Sequence, residues 1–153
     1  MNYLDDNIFV IDNFLSKDEF ALAQNGINID MIKLKISELF QGKYLVKGSG
    51  QIRLLLSGES TDPHSDQHQI GCSCGYCILN HETVKLYGAV FYLNDDYTGG
   101  EINYTKRGIT HRPKANSLIC HPASEDYEHE VLKVTSGIRK FISFFLSQNN
   151  DVI

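Results

Sequence analysis

The spacing of apolar residues changes near residue 50. Before that point, the run Ile8-Phe9-Val10-Ile11 reads as a short strand leading into Asn13-Phe14-Leu15. Ser16 with Glu19 three positions later is a capping box. Hydroxyl and carboxylate satisfy each other's backbone N–H groups at a helix start, so a helix is predicted from there through about Gln24. A second helix is predicted after Asp30. There Ile32, Ile36, Leu39 and Phe40 fall on one face of a 3.6-residue period, and Gly42 can end it. Beyond residue 50 the apolar runs are short, rich in β-branched and aromatic residues, and separated by Gly, Asn and Asp. They are Gln51 to Leu56, Lys85 to Leu93, Glu101 to Tyr104, Ser117 to Cys120, Val131 to Val134, and Arg139 to Leu146. Such a series predicts a mainly β (α+β) fold, a sandwich or jelly roll with the leading helices buttressing one face.

No repeat, low-complexity tract or Pro-rich linker divides the chain. Its 153 residues read as one domain, with 1–48 as helical support and 49–153 as the strand region. That length buries roughly two-thirds of the unfolded chain's surface, enough for a real core. No apolar run is long enough to span a membrane. The start, Met1-Asn2-Tyr3-Leu4-Asp5-Asp6, is acidic and unlike a secretory signal, so a cytoplasmic location is expected. The net charge of −5 argues against nucleic acid as a partner.

The polar residues alter this plain picture. In His64-Ser65-Asp66 the imidazole and carboxylate stand two apart. On a strand they share a face and can reach one metal ion; on a loop they are a surface pair. His129, in Glu128-His129-Glu130-Val131, is either a third ligand from a distant strand or a solvated residue among acidic neighbours. Two His and one carboxylate leave three adjacent positions open on an octahedral Fe(II). Arg139 begins a run in which Arg139, Phe141, Ser143 and Phe145 alternate onto one face. Facing inward, the guanidinium needs an anion, which a carboxylate would supply; at a strand edge it reaches water instead.

Four stretches, in order, carry a resemblance: "IFVIDNFLSKDEF" (8–20), "SGESTDPHSD" (57–66), "VFYLNDDYTGGEINY" (90–104) and "HEVLKVTSGIRKFISFFL" (129–146). Together they resemble the prolyl 4-hydroxylase-like branch of the Fe(II)- and 2-oxoglutarate-dependent dioxygenases. The resemblance implies a double-stranded β-helix with Fe(II) held by His64, Asp66 and His129. It implies that Arg139 binds the far carboxylate of 2-oxoglutarate, with Tyr92 donating a phenol hydroxyl to the same group and Ser143 as a further hydrogen-bonding candidate. The implied reaction hydroxylates an unactivated C–H, here of a prolyl residue in a peptide or protein, with release of succinate and CO2 and with L-ascorbate as candidate reductant. The alternatives are a hydroxylase of a free amino acid or other small molecule, and, in another class, a non-catalytic metal-binding β-barrel or zinc-dependent interaction module. One departure stands out. Many relatives place a Tyr just before the Gly of the second stretch, where this chain has Leu54-Leu55-Leu56-Ser57-Gly58.

Three of the four cysteines crowd together outside the resemblance. Cys72, Cys74 and Cys77 with His81 form either a tetrahedral zinc site or a thiol-bearing loop, and in either case the resemblance implies a place near the active-site mouth. His68 could supplement the iron site; His111 and His121, read as lying near turns, are assigned no chemistry.

Overall fold

The structure, a computed structural model, describes residues 1–48, 50–66 and 85–148. The zinc candidates Cys72, Cys74, Cys77 and His81, and His68, lie outside the described residues. In chain order the elements are β1 (Asn2–Tyr3), β2 (Phe9–Ile11), α1 (Lys17–Gln24), α2 (Ile29–Leu39), β3 (Tyr44–Lys47), β4 (Arg53–Leu55) and β5 (Lys85–Tyr92). There follow β6 (Thr98–Gly99), β7 (Ile102–Tyr104), β8 (Ile109–His111), β9 (Ser117–Pro122), a single 3-10 turn (Glu125–Tyr127), β10 (His129–Val131), β11 (Val134–Ser136) and β12 (Arg139–Gln148). None of the described helices is long and apolar enough to cross a membrane.

The capping box forms as its spacing predicts. The Glu19 N–H donates to Ser16 Oγ at 3.2 Å, and the Ser16 N–H donates to Glu19 Oε1 at 2.9 Å. Such a cap stabilises the helix by about 1 kcal/mol. α2 starts two residues earlier than expected and buries Ile29, Ile32 and Ile36. It also ends sooner: Leu39 is exposed and Phe40 becomes the C-cap. The turn after it, in which the Gly42 N–H returns to the Ser37 carbonyl, swings the Phe40 ring onto Tyr44 and Tyr87 instead.

Seven strands form the main antiparallel sheet, in the order β1-β2-β9-β5-β12-β3, with β4 also pairing β12. β4 takes the first third of β12 (Arg139↔Leu55) and β3 its last third (Leu146↔Val46). β3 lies within the segment read as helical support, yet its alternating residues complete the sheet. The sheet's faces separate by alternation. Ala89, Phe91, Leu118, Cys120, Ile142 and Phe144 pack under the helices against Ile32 and Ile36. Tyr92 and Ile119 point the other way, to Ile102 and Tyr104 of a smaller sheet ordered β10-β7-β8. The two sheets thus enclose an interior, as a double-stranded β-helix does.

The run Val131 to Val134, read as one strand, is divided between two sheets. β10 pairs β7, whereas β11 pairs β6 in a separate two-stranded ribbon. The changeover brings the Lys133 carbonyl against Gly99. A Cβ there would sit 2.1 Å from that oxygen, at a backbone φ of +72°. Only glycine allows both.

Candidate active site

An irregular segment, 58–64, runs antiparallel beside β10 and β11. The Val134 N–H donates to the Glu59 carbonyl (3.0 Å), the Thr61 N–H to the Val131 carbonyl (3.0 Å), and the Val131 N–H to Thr61 Oγ1 (2.8 Å). The zip ends in a reciprocal pair: His64 and His129 exchange N–H···O bonds of 2.9 Å in each direction. Their rings meet edge to face, with centroids 4.6 Å apart. His64 and Asp66 therefore do not meet on a strand face, as their spacing suggested. His64 makes one isolated bridge, and the chain bends at Asp66 to bring the carboxylate back.

One donor atom each from His64, Asp66 and His129 falls within 4.8 Å of the others. Asp66 Oδ1 is 3.8 Å from His64 Nε2 and 3.6 Å from His129 Nε2. Hydrogen bonds set both tautomers. His64 Nδ1 donates to the Asp62 carbonyl at 2.8 Å, and His129 Nδ1 to the Tyr127 carbonyl at 2.9 Å. Tyr127 is itself held, because its hydroxyl accepts from Asn7 and Arg107, each at 2.7 Å. Both Nε2 atoms thus present lone pairs toward the carboxylate oxygen. Burial pushes the His129 pKa down to about 4, helped by His121 and opposed by Asp66, so its imidazole is neutral. Burial works to raise the Asp66 pKa. The hydrogen bond from His121 and the nearby imidazoles outweigh it and hold the pKa at about 2. Two ring nitrogens and a carboxylate oxygen converge, a set that fits a divalent metal such as Fe(II).

The sequence reading missed His121. It is not near a turn but inside β9, only 1% exposed, on the interior face with Ile119. Its Nε2 donates to Asp66 Oδ2 at 2.8 Å, and its Nδ1 accepts from the Tyr104 hydroxyl at 2.8 Å. The available signal was an imidazole at an inward register position of an otherwise apolar strand. His111 lies on β8 and takes no part in this cluster.

A cavity of about 210 Å³ opens onto the three donors. Arg139, Phe141, Ser143 and Phe145 all line it, as their alternation predicts. Arg139 is 2% exposed. Its Nε donates to the Gly100 carbonyl at 3.1 Å and its Nη2 to Tyr92 Oη at 3.4 Å; its guanidinium lies 4.5 Å from the Phe141 ring centroid. Among the described residues no carboxylate pairs with it. A buried cation so placed is costly until an anion arrives. Tyr92 stands behind this guanidinium in the core rather than on the cavity wall. Burial raises its pKa to about 12, against the opposing pull of Arg139, so the phenol stays protonated. At the departure from the resemblance, Leu55 is buried opposite Arg139 and offers no hydroxyl.

The sequence matches the model of the 2OG-Fe(II) oxygenase superfamily over residues 50–147, well over half the chain. The chain belongs to that superfamily. It is a 2-oxoglutarate-dependent oxygenase, and the family's cofactors are Fe(II) and 2-oxoglutarate. No curated protein sequence matches it. Solved structures share the superfamily fold. The viral collagen prolyl hydroxylase of Paramecium Bursaria Chlorella virus-1, in complex with 2OG, has a TM-score of 0.75 at 17% identity, covering 95% of this chain and 97% of that one. A Pseudomonas putida prolyl-4-hydroxylase has a TM-score of 0.65 at 20% identity, covering 94% and 89%. A prolyl hydroxylase from Trichoplax adhaerens, in complex with a hypoxia inducible factor peptide fragment, has a TM-score of 0.66 at 14% identity, covering 94% and 84%. The oxygenase fold expected from the resemblance is therefore present across the described residues.

Proposed function

We propose that this oxygenase hydroxylates an unactivated C–H of a prolyl residue in a peptide or protein. His64, Asp66 and His129 hold Fe(II), and Arg139 holds the far carboxylate of 2-oxoglutarate. The observation that carries this reading is the single cavity joining three converging metal donors to a buried guanidinium that no carboxylate among the described residues pairs. Bound there, iron with 2-oxoglutarate and oxygen supplies the power to break the C–H bond, with release of succinate and CO2.

The chain's own residues bind, orient and exclude water. Arg139 offers its remaining N–H groups to a carboxylate as a planar fork. Tyr92 accepts from Arg139 and keeps its own proton, so it fixes the fork from behind. Ser143, on the cavity wall, is the third polar group for that ligand. Ile102, Val131, Phe141 and Phe145 line the rest with apolar surface, which keeps water from the reacting centre. The prolyl assignment draws support from the fold shared with the viral, bacterial and Trichoplax prolyl hydroxylases over nearly the whole chain.

One observation favours a second substrate class. Arg53 also lines the cavity and is exposed, with its guanidinium 5.9 Å from the Phe141 ring centroid. It would suit a substrate bearing its own carboxylate, such as a free amino acid. The test is succinate release, with Fe(II), 2-oxoglutarate and L-ascorbate supplied, against proline-containing peptides and free amino acids. Stimulation by the peptides supports the prolyl reading. Stimulation by free amino acids alone replaces it with the second.

A further inference from the structure

We propose that Tyr104, His121 and Gly88 are positioning residues that present Asp66 to the metal through one oxygen only. The proposal rests on the reading of Asp66 as a metal ligand. The Tyr104 hydroxyl donates to His121 Nδ1, which places the imidazole proton on Nε2, and that proton goes to Asp66 Oδ2. Oδ2 is thereby engaged, and Oδ1 is the oxygen left facing the two ligand imidazoles. The relay is rigid. Tyr104 and His121 are 0% and 1% exposed, and their rings meet edge to face with centroids 5.5 Å apart.

Gly88 supplies the space. It sits mid-strand in β5, paired with His121 of β9 on one side and Phe145 of β12 on the other. Glycine weakens a strand interior, so a close approach is the usual reason for one there. Here a Cβ would fall 2.0 Å from Asp66 Oδ2 and 2.7 Å from His121 Nε2. The missing side chain is what lets the carboxylate lie against the sheet and reach His121. A carboxylate whose Oδ2 is held by His121 would offer Oδ1 alone to a metal, leaving room there for 2-oxoglutarate and oxygen.

The experiment is an anaerobic Fe(II) titration in the presence of 2-oxoglutarate, followed by the weak visible charge-transfer band, so no turnover is read. His121→Leu should weaken Fe(II) binding by about 10- to 100-fold, the usual loss for a carboxylate's outer partner. His121→Gln keeps an N–H near the Nε2 position and should restore most of it. Gly88→Ala should lose affinity as His121→Leu does. Tyr104→Phe, which removes only a hydroxyl, should weaken binding alone but add nothing in the His121→Leu background. Additive losses from those two changes would reduce the pair to structural support and overturn the relay. Unchanged affinity in His121→Leu, with Asp66→Ala binding no iron, would overturn the proposal while leaving the ligand assignment standing. Full iron binding by Asp66→Ala would instead overturn the ligand assignment, and the relay with it.

Discussion

Replacing Arg139 by Met should leave the fold intact and remove the co-substrate. The side chain is buried, its Nε and one Nη contact are to neutral oxygens, and no described carboxylate neutralises it. Met keeps the apolar stem and deletes the uncompensated charge, so the ligand-free protein should be as stable as wild type or more so. A carboxylate held by two charge-assisted hydrogen bonds gains about 1.5–2 kcal/mol from each, or about 3–4 kcal/mol together. At about 1.4 kcal/mol per decade, Arg139→Met should raise the Kd for 2-oxoglutarate by two to three orders of magnitude. Thermal unfolding reads both effects. With Mn(II) replacing iron, 2-oxoglutarate at a hundredfold its wild-type Kd adds about 2.7 kcal/mol. That is roughly 5–10 °C in Tm for a domain of this size. In the variant, a hundredfold weaker Kd leaves about 0.4 kcal/mol, roughly 1 °C. A variant that keeps the full 2-oxoglutarate shift would refute the assignment of Arg139 as its anchor.

Four further outcomes follow from the same geometry. Gly99→Ala should destabilise the protein by more than an ordinary surface change, because its Cβ would strike the Lys133 carbonyl; chemical denaturation checks this, and an unchanged midpoint would contradict it. Burial pushes the Cys120 thiol from its ordinary value of 9.0 up to about 12. Peptide mapping should therefore find Cys120 unmodified by N-ethylmaleimide in the native protein at pH 8 and modified after unfolding. Because the folded pKa is the higher, the stability Cys120 contributes is fully present below pH 9 and is lost as pH rises toward 12. Cys120→Ala should flatten the fall in Tm across that window. Phe91→Ala, beneath the helices between Phe14 and Phe20, should cost about 3–5 kcal/mol while leaving Fe(II) affinity per folded molecule unchanged.

Features written in local spacing were legible in the sequence. The Ser16/Glu19 box, the Ile32 and Ile36 part of the α2 face and the alternation of Arg139, Phe141, Ser143 and Phe145 each depend on residues a few positions apart, and each formed. Features set by distant pairing were not. The division at Leu132 and Lys133 depends on two different partner strands. The recruitment of β3 depends on the far end of β12. The meeting of His64 and His129 comes from an irregular segment zipped along β10 and β11, which no periodicity announces. His121 escaped for a related reason. It neighbours Pro122 in sequence, which suggests a turn, whereas in space it faces a carboxylate from the other side of the interior.

The central claim is that His64, Asp66 and His129 form the iron site of a 2-oxoglutarate-dependent oxygenase. Succinate formation by purified wild-type protein and His129→Ala, with Fe(II), 2-oxoglutarate and oxygen present, tests it most directly. The account predicts succinate from the wild type and none above background from the variant. Equal succinate from both would contradict it.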